Sequence, residues 1–294
     1  MALTERIVEF ILKTGAGGGF RDVAKVRRRM DNGARFAMPR VKGVAVKMLD
    51  IDGLRAAQLQ PENAQQKVLL YLHGGAYVCG SIHTHKNLVG TLAKSAGIQA
   101  LLIDYRLAPE YPYPAALEDA VKAYRYLLDS GYRPEDIAVA GDSAGGGLSL
   151  ALLMFLRDQR MPLPKCAVLI CPWLDLTNSS ETYQTNKDVM LKKEDLDVAV
   201  SMYTTGKVDV THPYVSPING DFNALSDVLI HTGGRDALEG EGKRLATLLK
   251  ASGIAAELFH EPKGIHVWHT YHPFFPHSKT ANEHIAAFLR RQLK

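Results

Sequence analysis

The chain has few cysteines, only two tryptophans, no long apolar run and no strong excess of either charge. Each shortage excludes a class. Three cysteines (Cys79, Cys166, Cys171), odd in number and irregular in spacing, make neither a disulfide framework nor a zinc site. Cys166 and Cys171 flank the apolar run 167–170 and read as buried thiols of a strand, which suits a reducing compartment. No stretch approaches the roughly 18 apolar residues of a membrane span. In residues 1–13, Glu5, Arg6, Glu9 and Lys13 interrupt the apolar positions at helical spacing, so the segment reads as an amphipathic helix and not a signal sequence. The protein is accordingly expected to be cytoplasmic and not inserted in a membrane. A net charge of +4 is mild, and the Lys and Arg residues are spread along the chain. The dense run Arg27–Arg28–Arg29 lacks interleaved aromatics and reads as a solvated helix face, so no nucleic-acid partner is expected. Gly15–Gly19 has no strand before it and no Lys-Ser/Thr after it, which makes it a loop or hinge and not a phosphate cradle.

What remains is a 294-residue chain of ordinary globular composition, 46% apolar and 22% charged, with material for a large core. Residues 44–46 and 54–59 read as two short strands joined at Asp52-Gly53. From there, apolar runs at 67–72, 98–104, 136–140, 166–171, 228–232 and 255–260 alternate with helical stretches at 85–96, 115–129, 145–157, 241–252 and 281–292. That alternation predicts βαβ units, a mostly parallel sheet with helices on both faces, and strands buried on both sides. Two segments fall outside it. Residues 1–40 and 174–223 are expected to form a small helical cap over a core built from 41–173 and 224–294.

Residues 141–145 read Gly-Asp-Ser-Ala-Gly, with the run 136–140 before them and a helical stretch after. A G-x-S-x-G pentapeptide is weak evidence alone. In a strand-turn-helix setting it is a nucleophile elbow, in which a sharp turn presents Ser143 at a helix N-terminus. A serine hydroxyl needs a base to attack at neutral pH and donors to hold the resulting oxyanion. After the strand 67–72 comes His73-Gly74-Gly75-Ala76, whose small residues let consecutive N–H groups converge. Gly74, Gly75 and Ala76 are assigned to the oxyanion hole together with Ala144; Gly74 shapes the turn and the other three donate. His73 is read as anchoring this loop and not as the base.

The motifs HGGA (73–76), DYRLAPE (104–110), YPAALEDA (113–120), GDSAGG (141–146), GGRDAL (233–238) and GIHVW (264–268) occur in this order. The sequence resembles the hormone-sensitive-lipase-like branch of the α/β-hydrolase esterases over about 200 residues. That resemblance implies an eight-stranded α/β-hydrolase sheet with a helical cap and a triad in the chain order Ser, Asp/Glu, His. Asp236, just past a late strand, is then the acid, in preference to Asp227 and Glu239. His266 is the base, in preference to His260, His269, His272 and His277, although Val267 stands where the family carries glycine. Asp142 is expected to support the elbow. Asp104, Arg106 and Glu110, with Glu118 and Asp119 nearby, are expected to form one structural network below the site.

The chemistry expected is hydrolysis of short-to-medium carboxylic esters through an acyl-enzyme, without cofactor or metal. Tyr77, Trp173, Val267 and Trp268 are expected to line the substrate pocket. An amidase, lactonase or deacetylase would use the same triad, and a non-catalytic receptor on this fold would lack the His. The partner is a small-molecule ester, and a homodimer is left open.

Overall fold

The computed structural model describes residues 19–37, 41–185, 188–272 and 274–294. The amphipathic helix expected at 1–13 and most of the glycine loop 15–19 lie outside them. Eight strands form one sheet in the order β1-β2-β4-β3-β5-β6-β7-β8: β1 (Val44–Ile51), β2 (Leu54–Pro61), β3 (Gln65–Leu72), β4 (Ile98–Ile103), β5 (Ile137–Asp142), β6 (Cys166–Ile170), β7 (Asp227–Arg235) and β8 (Ala256–Ile265). β2 runs antiparallel to both β1 and β4, and every other pairing is parallel.

The central strands carry apolar runs because helices cover both faces. β5 and β6 are buried at every position. On one face, α2 (Ile82–Ala96) and α7 (Pro276–Gln292) pack over Leu69, Tyr71, Ala138 and Val168. On the other, α3 (Ala115–Asp129) and α4 (Ala144–Asp158) pack over Leu70, Leu72 and Val139. α6 (Glu239–Ala251) covers β6 and β7 through Leu245 and Leu249. α2 starts three residues earlier than its apolar spacing suggested, because Ser81 and Thr84 form a capping box that satisfies the first free N–H groups.

Outside the sheet, α1 (Val23–Ala37) and α5 (Lys193–Thr204) belong to the segments set apart by their composition. Phe20, Val26 and Met30 pack into the same apolar cluster as Leu196, Ala199 and Tyr203. The arginine run only partly faces solvent. Arg28 and Arg29 are exposed, whereas Arg27 donates to the carbonyls of Val78 (2.7 Å) and Ala108 (2.8 Å) and pairs with Glu110 at 2.8 Å. The reading of all three as a solvated face is therefore corrected at Arg27: a guanidinium with several donors can hold two backbone segments at once.

The single network expected from Asp104, Arg106 and Glu110 is three separate devices. Asp104 accepts the N–H of Ile82 at 2.5 Å and stands 3.4 Å from Arg55. Arg106 grips Asp119 and Glu118, both at 2.9 Å, while Glu110 goes to Arg27 on α1. Local sequence spacing showed these side chains as neighbours but not the directions in which the loop turns them.

Candidate active site

Strand β5 ends at Asp142 and α4 begins at Ala144, leaving Ser143 alone in the turn. Its backbone sits at φ 52°, ψ −124°, a region that costs of order 1–3 kcal/mol for a non-glycine residue. The surroundings hold it there. Its N–H donates to Ile170 O at 2.9 Å, and its carbonyl accepts from Gly146, Gly147 and Trp173 at 2.9–3.1 Å. Gly145 is required by close approach: a Cβ there would lie 2.0 Å from the carbonyl oxygen of Leu72. The Ser143 hydroxyl does not cap α4, so it is not a capping serine. Among the described residues it has no hydrogen-bond partner, His266 included.

The loop after β3 holds three consecutive residues at positive φ: Gly75 (125°), Ala76 (53°) and Tyr77 (62°). The carbonyl of Gly75 is consumed by the N–H groups of Val78 and Cys79. Among the described residues no acceptor takes the N–H of Gly75, Ala76 or Ala144. Gly74 differs, because its N–H donates to Asp142 Oδ1 at 3.1 Å. That bond agrees with the expected role of Gly74 in shaping the turn, since a committed N–H has nothing left to give an oxyanion.

Asp142 underpins both loops. It accepts from Tyr71 Oη at 2.8 Å as well as from Gly74, and His85 Nε2 lies 3.3 Å away. Burial opposes its charge, but His85, the Tyr71 hydroxyl and His73 together outweigh burial and the carboxyl stays below its usual range. His73 anchors its loop, with Nδ1 2.9 Å from the Gly74 carbonyl and its ring stacked 4.2 Å from Tyr105. Burial, then His85, lowers its pKa to about 3, so it is neutral.

The acid candidate follows β7 directly and the base candidate follows β8 directly, at the carboxyl ends of neighbouring strands. His266 Nδ1 lies 3.1 Å from Asp236 Oδ1, with both residues buried. Burial disfavours the imidazolium, but Asp236, then Asp188 and Asp142, more than compensate, and His266 titrates above its ordinary value. β8 runs five residues past its apparent apolar end, which leaves His260 inside the strand and brings His266 to its tip. His269 is not an alternative partner for Asp236. Its Nε2 meets His231 Nδ1 at 2.9 Å, and burial lowers its pKa to about 3.

Val267 adopts φ 47°, ψ 44°. This is the left-handed region, where glycine sits without cost and a β-branched residue is strained. The position that resembled a family glycine has the backbone of one.

The expected pocket lining is corrected in part. Trp173 and Trp268 are both fully buried, so neither offers a face to a ligand. Trp173 Nε1 donates to Asn178 at 2.9 Å and fixes the start of the 174–223 segment. Trp268 lies in the core beneath α7, 4.1 Å from the His269 ring, and its carbonyl accepts from Ser278 Oγ. Tyr77 is 1% exposed and stacked on Tyr203, whereas Val267 keeps 7%.

Several residues near the site carried no sequence signal. Cys171 offers a thiol within 4.8 Å of the Asp236 and His266 ligand atoms, and burial pushes that thiol well above its usual pKa. It is the one cluster of potential metal ligands among the described residues, and two of its three members already bond to each other. Glu241, buried on α6, accepts from the N–H groups of Leu174 and Asp175 at 2.6 and 2.9 Å, and burial raises its pKa to about 8.

Residues 69–270 match the family model described as the alpha/beta hydrolase fold. An "Acetyl-hydrolase" of Streptomyces hygroscopicus is 40% identical over 237 residues, covering 80% of this chain and 79% of that protein. An "Esterase" of Acinetobacter venetianus is 31% identical over 255 residues, covering 85% and 83%. The crystal structure of an esterase from the bacterial hormone-sensitive lipase family superposes with TM-score 0.96 at 36% identity, covering 100% of this chain and 99% of that one. Together with the elbow, the HGGA loop and the strand order, these likenesses show that the chain belongs to the α/β-hydrolase fold family, in its hormone-sensitive-lipase-like esterase branch.

Proposed function

We propose that the chain is a serine carboxylesterase that hydrolyses short-to-medium-chain esters through an acyl-enzyme on Ser143. The observation that carries this reading is the buried His266–Asp236 pair at 3.1 Å, at the carboxyl ends of strands parallel to β5, which ends at the elbow. With Nδ1 turned to Asp236, the imidazole keeps its Nε2 lone pair for the serine proton. Asp236 fixes the tautomer and stabilises the imidazolium.

His266 accepts the proton of Ser143 Oγ as the oxygen attacks the ester carbonyl. The uncommitted N–H groups of Gly75, Ala76 and Ala144 hold the developing oxyanion, and α4 directs its N-terminus toward the same charge. The imidazolium then protonates the departing alkoxide. Water, deprotonated by His266, attacks the acyl-enzyme, and collapse of the second tetrahedral adduct returns Ser143 and releases the acid.

Short acyl chains fit a site whose flanking aromatics are buried and mutually stacked, and the Streptomyces relative bears the name acetyl-hydrolase. The segments 19–37 and 174–223 act as the cap, joined through Phe20, Leu196 and Tyr203. The three buried free cysteines suit a reducing cytoplasm. No helix among the described residues is long and apolar enough to cross a membrane.

The test is hydrolysis of p-nitrophenyl esters of graded chain length by the wild type and by Ser143→Ala. The expected profile peaks at short-to-medium acyl chains and collapses in the variant. Full activity in Ser143→Ala, or a peak at long chains, defeats the corresponding half of the reading.

A further inference from the structure

The peptide that follows Asp236 is held from both sides by the 174–223 segment. Asp188 accepts the N–H of Ala237 at 2.8 Å through Oδ2, and Thr182 Oγ1 donates to the carbonyl of the same residue at 2.6 Å. Asp188 is itself fixed, since its Oδ1 accepts the N–H groups of Met190 (2.7 Å) and Leu191 (2.9 Å). Val189, between them, is buried against the core beneath α7. The clasp therefore has one end in the core and the other on the residue adjoining the triad acid.

We propose that Asp188 is a positioning residue of the esterase: with Thr182 it sets the loop that carries Asp236, and its carboxylate supplies His266 with a second negative charge. The inference rests on the triad reading given above. Its chemistry follows from charge and geometry. During acyl transfer His266 becomes an imidazolium in a buried place, where nearby opposite charge stabilises it strongly. The ionisable groups facing His266 are Asp236 after β7, Asp188 from the insertion, Asp142 at the end of β5, Cys171 after β6, and His269 on its own loop. Asp142 is committed to His85, and Cys171 keeps its proton. After Asp236, Asp188 is the carboxylate that favours the His266 imidazolium most, ahead of Asp142. Burial, followed by the Asp236 charge, raises the pKa of Asp188, opposed by His266 and by the N–H groups of Leu191 and Ala237.

Two substitutions separate the roles. Asp188→Asn removes the charge and keeps one acceptor oxygen, so either the Ala237 N–H or the Met190 and Leu191 N–H groups lose theirs; Asp188→Ala removes the charge and both acceptors. Removing the charge lowers the pKa of His266, so the acid limb of the kcat/KM profile should move to lower pH in Asp188→Asn, by about half a unit or more. In Asp188→Ala, kcat should fall about tenfold or more as the Asp236 loop loosens, with KM little changed. Thr182→Val should reproduce the loss in kcat without moving the limb. Labelling of Ser143 by a phosphonate ester, run beside these assays, keeps the two readings apart: no label on Ser143 in the wild type defeats the triad reading itself. With labelling intact, wild-type kcat and an unmoved limb in both Asp188 variants overturn the proposal. So does a lowered rate in Asp188→Ala with the limb unmoved in Asp188→Asn, which would make Asp188 a structural contact only. If Asp188→Ala melts below assay temperature, Asp188→Asn decides.

Discussion

The ring of Tyr203 on α5 lies flat on the ring of Tyr77, 4.0 Å away and within 6° of parallel. Tyr77 directly follows Ala76 in the loop proposed to supply the oxyanion donors. The backbone carbonyl of Tyr203 also accepts the N–H of Tyr113 at 2.8 Å. One residue of the 174–223 segment thereby reaches the loop after β3 and the loop before α3. Tyr203→Ala should lower stability by about 3–5 kcal/mol, as removal of a buried aromatic does, and should lower kcat more than it raises KM. Tyr203→Phe should behave as wild type, because the buried hydroxyl has no partner. Denaturant melts and steady-state kinetics check both.

The acid limb of kcat/KM should report His266 in the free enzyme. The imidazolium is favoured, so the base form appears only above the ordinary histidine value of about 6.5. Activity should rise with pH through a midpoint above that value. A midpoint below it in the wild type would show that another group is titrating.

Asp236→Asn should leave the fold intact and lower kcat by about 10³- to 10⁴-fold, because an amide can hold the imidazole in the wrong tautomer and gives no charge to the imidazolium. Circular dichroism and single-turnover hydrolysis with a p-nitrophenyl ester check the two halves.

Acid should unfold the protein by way of histidines that do no chemistry. His73 and His269 are buried with pKa values lowered to about 3, principally by burial. Their folded values lie below the unfolded value of about 6.5, so the unfolded state binds more protons and stability falls as pH drops below that point, down to about 3. Each contributes at most about 2 kcal/mol of loss at pH 5. His231, between His269 and His284, is lowered in the same sense by burial. Melting temperatures should hold from pH 8 to about pH 7 and fall from about 6.5 to pH 5, and His269→Gln should flatten that fall.

At Val267, strain and burial compete. Replacing Val267 by glycine relieves a left-handed backbone that costs of order 1–2 kcal/mol, but loses a side chain only 7% exposed, worth about 1.5–3 kcal/mol. The net should be a loss of about 1 kcal/mol with kcat nearly unchanged. Chemical denaturation and steady-state kinetics read the two quantities.

Sequence alone determined what depends on neighbours along the chain. The alternation of apolar runs and helices dictated a parallel sheet covered on both faces, because strands without a polar side need cover on both. The elbow was legible because a strand, a glycine-flanked serine and a helix stand consecutively. Asp236 and His266 were expected through the resemblance, which puts an acid and a base just past late strands, though β8 proved to run through Glu261, Pro262 and Lys263 up to Ile265. Tertiary structure decided everything that depends on where a loop turns. Gly74 is held in its turn by Asp142, 68 residues away, which takes its N–H. Trp268 went into the core and not the pocket, because Val267 turns the chain left-handed and sends the next ring under α7. Asp188, Tyr203 and Glu241 lie in segments with no motif, and their roles exist only through partners brought close by folding. Periodicity records which face of an element meets the core. It does not record which distant backbone group a side chain will meet, since that distance is fixed by the packing of the whole sheet.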